Sequence, residues 1–384
     1  MSVTAPLGFR AAGVAAGLKS SGDPDLALIV NDGPSSAAAA VFTANRCKAN
    51  PVLWSEQAIR DGTARAMVAN SGGANCYTGA DGFANTHATA ESVAELLGIG
   101  SVDVQVCSTG LIGLLNDREA LLSGAAKAVG GLSLDGGAAA AEAILTTDSV
   151  PKQATASVDG CTVGGMAKGA GMLAPSLATM LVFLTTDADV DAATCDRALR
   201  AATAGTFDRI DSDGCMSTND TVLLMASGSA PVAAPVYSDF EAAVHDVCAD
   251  LARQLVADAE GADHEIAIRV VGAATEPEAL EVARAIARSN LFKCAIYGRD
   301  PNWGRVLAQI GTTQATFDPS DLDVALNGVW VCRNSGPADD PEGVDLSSRP
   351  VEVLVDLKSG PHEATIWTND LTHTYVHENS AYST

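Results

Sequence analysis

The segment 239–259 constrains the fold more than any other part of the chain. Its apolar residues Phe240, Val244, Val247, Leu251 and Leu255 recur at helical spacing and line one face of a long helix. Such a stripe needs a second layer to cover it. Short apolar runs bounded by polar or glycine-rich turns supply candidates, and they predict strands over 26–30, 39–42, 64–68, 102–106, 180–184, 221–225 and 265–271. The stretch 153–163, with Asp159-Gly160 at its centre, reads as a hairpin. Helices are expected over 118–129, 137–145 and 192–202, and another opens at Pro277 and runs through Ala287. The tail reads as strands over 324–326, 330–333, 351–356, 364–367 and 375–376, with a surface loop over 334–348. No internal repeat is visible. The sum is a mixed α/β architecture.

The 384 residues are ample for a large core and suggest two or so domains. Aromatic residues are only 4% of the chain, so small aliphatic side chains must fill that core. The net charge of −24 argues against nucleic acid and against an anionic membrane surface, because both require clustered Lys and Arg. No apolar run approaches the ~18–20 residues of a membrane span, and the N-terminus does not read as a secretion signal. Nine scattered cysteines, without C-x-x-C spacing, read as reduced thiols of a cytoplasmic protein.

The chemistry concentrates at 168–181. Lys168, Gly169 and Gly171 lead through Pro175 to Ala178-Thr179, and the apolar run follows at once. A Thr hydroxyl beside a small residue's carbonyl at the mouth of a strand can attack that carbonyl and cut the chain. Thr179 would then carry its own base, the freed α-amine. An ordinary structural Thr before a strand fits the same residues, and both readings stand at this level. Lysine is scarce, with seven against sixteen Arg, so Lys168 is not background. Cys107-Ser108-Thr109-Gly110 ends a strand in two hydroxyls and a glycine. Such a turn either aims donors at one point, as an oxyanion hole requires, or simply reverses the chain. Glu260, at the end of the long helix, opposes the helix dipole; it is either solvent-exposed or kept to hold an ammonium group.

Other matches are weaker. Ser149-Val150-Pro151-Lys152 fits the S-x-x-K pattern without its supporting motifs. Gly17-Leu18-Lys19-Ser20 lacks the first glycine of a phosphate loop. His373 and His377 read as a surface strand rather than a metal site, and Asp211, Asp213 and Asp220 as a capped loop rather than a cation site.

Together the motifs resemble one family, the ornithine acetyltransferases of arginine biosynthesis, also called glutamate N-acetyltransferases. The resemblance spans nearly the whole chain. It rests on Gly8-Phe9-Arg10-Ala11-Ala12-Gly13, Asn70-Ser71-Gly72-Gly73-Ala74-Asn75, Ser108-Thr109-Gly110 and Thr146-Thr147-Asp148. It continues through Lys168 to Leu181, Ser217-Thr218-Asn219-Asp220-Thr221, Asp300-Pro301-Asn302-Trp303-Gly304-Arg305 and Asn379-Ser380-Ala381-Tyr382-Ser383-Thr384. Gly73, Cys76 and Ser383 depart from the family pattern, and none of them is among the functional residues.

The resemblance implies layered sheets and helices around a self-cleaved N-terminal Thr nucleophile, with an α chain 1–178 and a β chain 179–384. It implies acetyl transfer from N-acetylornithine to glutamate by a ping-pong route through acetyl-Thr179. Thr109 and Gly110 would form the oxyanion hole. Thr146, Lys168, Thr179, Glu260, Asn379 and Thr384 would contact substrate. Of these Thr146 is the least secure, since Thr147 adjoins it. No cofactor or metal is implied, and acetyl-CoA enters as an optional second donor. Two α and two β chains would assemble into a heterotetramer. The rival expectation is an N-terminal-nucleophile amidase or aminopeptidase of related fold, with water as acceptor.

Overall fold

The computed structural model describes residues 2–174 and 180–381. Its centre is a five-stranded sheet in the order Ala38–Phe42, Thr221–Ala226, Leu181–Thr186, Cys161–Lys168, Lys152–Val158. The middle strand Leu181–Thr186 runs parallel to Thr221–Ala226 and antiparallel to Cys161–Lys168. Every residue of Leu181–Thr186 and of Thr221–Ala226 is buried, so both faces of this sheet are covered.

The two faces are told apart by alternation along the strand. Val182 and Leu184 join Leu224 and the apolar stripes of two helices, Ala192–Gly205 and Tyr237–Ala257. Leu181 and Phe183 point the other way, with Leu223 and Met225, onto Ala27, Ile29, Met67 and Ala69 of a second sheet. That second sheet has four strands in the order Phe9–Val14, Leu26–Asn31, Ala66–Asn70, Val104–Ser108. Its outer face carries Leu26, Leu28, Val68 and Val106 against helices Gly79–Leu97 and Arg118–Gly130. The result is a helix–sheet–sheet–helix sandwich. Low aromatic content suits it, because small side chains let the layers approach. At Gly165 a Cβ would meet Leu184 Cδ2 at 2.7 Å and Val247 Cγ1 at 2.9 Å, so the long helix crosses the sheet where no side chain stands.

A third, six-stranded sheet is built from the C-terminal part. Glu265–Ala273 lies between Pro350–Asp356, to which it is parallel, and His362–Asn369, to which it is antiparallel. Its core packs on helices Glu276–Ala287, Asn290–Tyr297 and Trp303–Ile310.

Several expectations need correction. Residues 375–376 are not a strand; they lie in the helix His373–Ala381, which also carries His373 and His377. The long helix begins at Tyr237 and ends at Ala257, so Glu260 stands in the turn beyond it, clear of the last helical carbonyls. The surface loop 334–348 contains the short strand Gly336–Pro337 and a 3-10 turn at Pro341–Gly343. The strand Phe9–Val14 and the helices Asn50–Ala58, Gly79–Leu97, Asn290–Tyr297 and Trp303–Ile310 were not anticipated. All nine cysteines are free thiols. Among the described residues no helix is long and apolar enough to cross a membrane, and no group of three or more potential ligands is arranged to hold a metal ion.

Candidate active site

The site forms where several loops and the helix His373–Ala381 meet near the start of the central strand. Lys168 is the last residue of Cys161–Lys168 and pairs in register with Leu181, the first residue of the central strand. Lys168 is therefore in register with a residue that follows position 179 by two in the sequence. Its side chain is buried, and Nζ donates to Thr109 Oγ1 at 3.1 Å. Burial lowers the Lys168 pKa; the charges of Asp148, Asp220 and Glu260 work against that, and Lys152 adds to it.

Thr109 and Gly110 follow the buried strand Val104–Ser108. The Thr109 N–H is committed to Asn70 O at 2.9 Å, while its hydroxyl oxygen accepts from Lys168. The hydroxyl proton is thereby left free to donate. Among the described residues no acceptor engages the Gly110 N–H. Gly110 has φ +119, and a Cβ there would come within 3.1 Å of the Gly73 backbone. Left-handed backbone and close approach both require glycine at 110. Asn219 braces the turn, donating Nδ2 to Ser108 O at 2.7 Å and to Ala74 O at 2.6 Å.

Asp148 ties two binding segments together. Its Oδ1 accepts from Gly169 N at 2.6 Å and from Lys152 Nζ at 2.7 Å, and its Oδ2 accepts from Thr146 N at 3.2 Å. Lys152 also reaches Asp258 Oδ2 at 2.6 Å. Burial alone would push the Asp148 carboxyl up, but Lys168, Lys152 and the Gly169 N–H together hold it below the usual range. The S-x-x-K lysine is thus half of a buried ion pair: neither Lys152 nor Asp148 has an exposed side chain.

Glu260 closes the other side. Its Oε1 accepts from Thr147 Oγ1 at 2.7 Å and its Oε2 from Asn379 Nδ2 at 3.0 Å. A Cβ on Gly171 would sit 2.5 Å from Glu260 Oε2, so the glycine leaves room for the carboxylate. Asp213 accepts from Met172 N at 2.7 Å and from Cys215 N at 3.0 Å, and burial raises its carboxyl. Asp220 is completely buried and accepts from Met180 N at 3.2 Å. Burial holds its carboxyl well above the ordinary value. The acidic loop is thus a hydrogen-bonded brace.

Thr109, Gly110, Thr146, Lys168, Glu260 and Asn379 all line one cavity of about 180 Å³, together with Thr147, Gly171, Asp213 and Tyr375. Ala178, Thr179 and Thr384 lie outside the described residues. Thr147, Asp148, Asp213 and Tyr375 were not singled out as site residues from sequence. Thr147 and Asp148 stood beside Thr146 in a quoted motif, and that adjacency was the only available signal. The carboxylate and the lysine face one another across hydroxyl and amide donors. Such a cavity is complementary to a zwitterion with an α-ammonium and an α-carboxylate.

Comparison with known proteins finds relatives over nearly the whole chain. The ArgJ family model matches residues 10–384. The arginine biosynthesis bifunctional protein ArgJ of Streptomyces avermitilis is 62% identical over 383 residues, covering all of both chains. The crystal structure of the arginine biosynthesis bifunctional protein ArgJ of Bacillus halodurans is 38% identical, with a TM-score of 0.50; the match covers 52% of this chain and 98% of that one. The structure of Mycobacterium tuberculosis ornithine acetyltransferase complexed with ornithine is 55% identical, with a TM-score of 0.45, covering 47% of this chain and 96% of that one.

Proposed function

The chain belongs to the ArgJ family and is an acyltransferase, and from that premise we propose that it moves an acetyl group from N-acetylornithine to glutamate through an acetyl-Thr179 intermediate. The observation that carries the proposal is convergence. Six residues from five separate stretches line one cavity, and one of them, Lys168, is in register with the strand that begins two residues after Thr179.

In this reading the protein first cuts itself between Ala178 and Thr179. The Thr179 hydroxyl attacks the Ala178 carbonyl carbon, the acyl group moves from nitrogen to oxygen, and water hydrolyses the ester. Chains 1–178 and 179–384 result. The new α-amine has an unperturbed pKa of ~7.7–8.0, so it is partly basic near neutral pH. It takes the hydroxyl proton as Thr179 Oγ1 attacks the acetyl carbonyl of N-acetylornithine. The C–N bond breaks, ornithine leaves with the proton, and glutamate's amine attacks the acetyl ester in reverse. The Thr109 hydroxyl and the Gly110 N–H, both unspent on described acceptors, supply the oxyanion donors. Lys168 pairs with the substrate α-carboxylate and Glu260 with the α-ammonium, while Thr146, Asn379 and Thr384 complete the contacts. The reaction calls for no cofactor, and acetyl-CoA serves as a second acetyl donor. Two α and two β chains form the working assembly in the cytoplasm.

Support for the cut also comes from the Bacillus halodurans structure, whose chain corresponds to only about half of this one. The deciding experiment is an assay of purified protein with glutamate plus either N-acetylornithine or acetyl-CoA, run beside a denaturing gel. Two fragments and glutamate-dependent release of ornithine are expected. A single intact chain, or turnover by Thr179→Ala, would sink the mechanism. Acetyl release indifferent to glutamate would favour a hydrolase instead.

A further inference from the structure

A second cavity, of about 240 Å³, adjoins the first and shares Asp213, Glu260 and Tyr375 with it. Its remaining wall includes Arg288, Asn290, Lys293 and Asn369. Lys293 is unusual there. The residue is only 6% exposed, yet its ammonium's sole hydrogen bond among the described residues is to the Ser212 carbonyl.

The charges of Asp213, Asp211 and Asp370 act on Lys293, but none of the three hydrogen-bonds to it among the described residues. Asp211 pairs with Arg288 Nε at 2.7 Å, and Asp213 takes the amides of Met172 and Cys215. Asp370 accepts from the amides of Asp263 and His264 and sits 2.7 Å from His264 Nδ1. A buried ammonium with no direct ion pair among the described residues is stabilised further when an anion arrives beside it. Burial lowers the Lys293 pKa, and the charges of Asp213, Asp211 and Asp370 work against that.

Ping-pong transfer through one nucleophile makes one site accept two amino acids. Ornithine and glutamate are alike at the α-ammonium and α-carboxylate and opposite at the side-chain end. The first cavity's pair, Lys168 and Glu260, matches only what they share. The difference must be met one side chain's length away, beyond Glu260 and Tyr375. There the dividing wall carries an acid, Asp213, and the remaining wall carries Lys293.

We propose that the second cavity is the side-chain subsite, that Lys293 receives the γ-carboxylate of the glutamate acceptor, and that Asp213 on the shared wall receives the ammonium of the ornithine side chain. This rests on the acetyl-transfer reading above. The alternation of charge along the subsite lets one pocket serve both half-reactions without moving the acetyl-enzyme.

The test uses the whole enzyme and an acceptor series with identical α-ends: glutamate, glutamine and norvaline. Wild type should prefer glutamate over both; norvaline accepted as well as glutamate would overturn the assignment, with no variant needed. Lys293→Gln should raise the KM for glutamate roughly 10- to 100-fold, far more than the KM for N-acetylornithine, and should narrow the glutamate–glutamine preference. Lys293→Arg should restore part of the loss. An unchanged glutamate KM, or equal damage to both substrates, refutes the proposal while leaving acetyl transfer intact. A wild-type enzyme that ignores glutamate refutes both readings.

Discussion

Removing the Asp148 carboxylate is the sharpest test of how the site is held. Asp148 accepts three hydrogen bonds, from Gly169, Lys152 and Thr146, and its side chain is entirely buried. In Asp148→Ala the Gly169 N–H loses its partner and Lys152 keeps Asp258 and the Val150 carbonyl. Breaking a buried ion pair from one side costs about 3–5 kcal/mol. The surviving 2.6 Å contact to Asp258 puts the loss at the lower end, about 3 kcal/mol. No screening discount applies, because water reaches neither partner. The assay is urea unfolding near neutral pH, read as the midpoint at constant slope, for wild type, Asp148→Ala, Lys152→Met and the double variant.

The double variant should lose less than the sum of the singles, since removing both charges leaves neither stranded. Activity should fall with stability, because Gly169 and Thr146 flank Lys168 and the cavity. The pH dependence has a definite sign. The folded carboxyl is held below its unfolded value of ~3.9, so its stabilisation is present above that value and is lost as acid titrates the folded group. Asp148→Ala should therefore lack part of the wild type's acid destabilisation. A single variant within about 0.5 kcal/mol of wild type, or strictly additive singles, would refute the argument that this ion pair organises the site.

Three further outcomes follow from other contacts. Asp220→Asn should be more stable than wild type at neutral and alkaline pH. Its folded carboxyl is raised by burial, so the wild type loses stability as pH climbs above the unfolded value; a pH series of urea midpoints that never separates the two proteins would contradict this. Gly171→Ala drives a Cβ to within 2.5 Å of the Glu260 carboxylate and should cost about 1–3 kcal/mol or displace Glu260; its KM for N-acetylornithine should rise, and normal kinetics at normal stability would count against the contact. Phe240→Ala empties a fully buried site on the long helix and should cost about 3–5 kcal/mol, measurable by the same urea titration with KM unaffected.

The legible parts of the fold were those whose burial is apolar and periodic. The long helix was readable because Phe240, Val244, Val247, Leu251 and Leu255 are also its buried residues. The helix Gly79–Leu97 is nearly as long and was missed. Its buried face is Gly82, Asn85, Thr86, Thr89, Ala90, Val93 and Ala94, a stripe of small and polar residues with little apolar signal. That face is satisfied by hydrogen bonds instead: Asn75 Nδ2 reaches Gly82 O and Thr86 Oγ1, each at 2.9 Å, and Asn85 Nδ2 reaches Asn116 O at 2.8 Å. The C-terminal helix failed for a different reason. None of its residues is buried, so the short apolar pair Tyr375-Val376 carried the strand reading alone.

The site divides along the same line. Thr109, Gly110 and Lys168 stand at strand ends, where the sheet alone fixes their direction, and a reading of strands finds them. Glu260 was found for a reason the structure replaces: it stands beyond the helix, and its setting is Gly171, Thr147 and Asn379. Asp148 and Lys293 are visible only once distant segments are brought together, because their meaning lies in what does and does not neutralise them. Lys152 is shared by two aspartates, whereas the Lys293 ammonium hydrogen-bonds only a carbonyl among the described residues. In a chain of net charge −24, neutralising a buried lysine is not short of candidates. A buried lysine beside a cavity, whose ammonium among the described residues donates only to a carbonyl, marks a place that an anion from outside is fitted to fill.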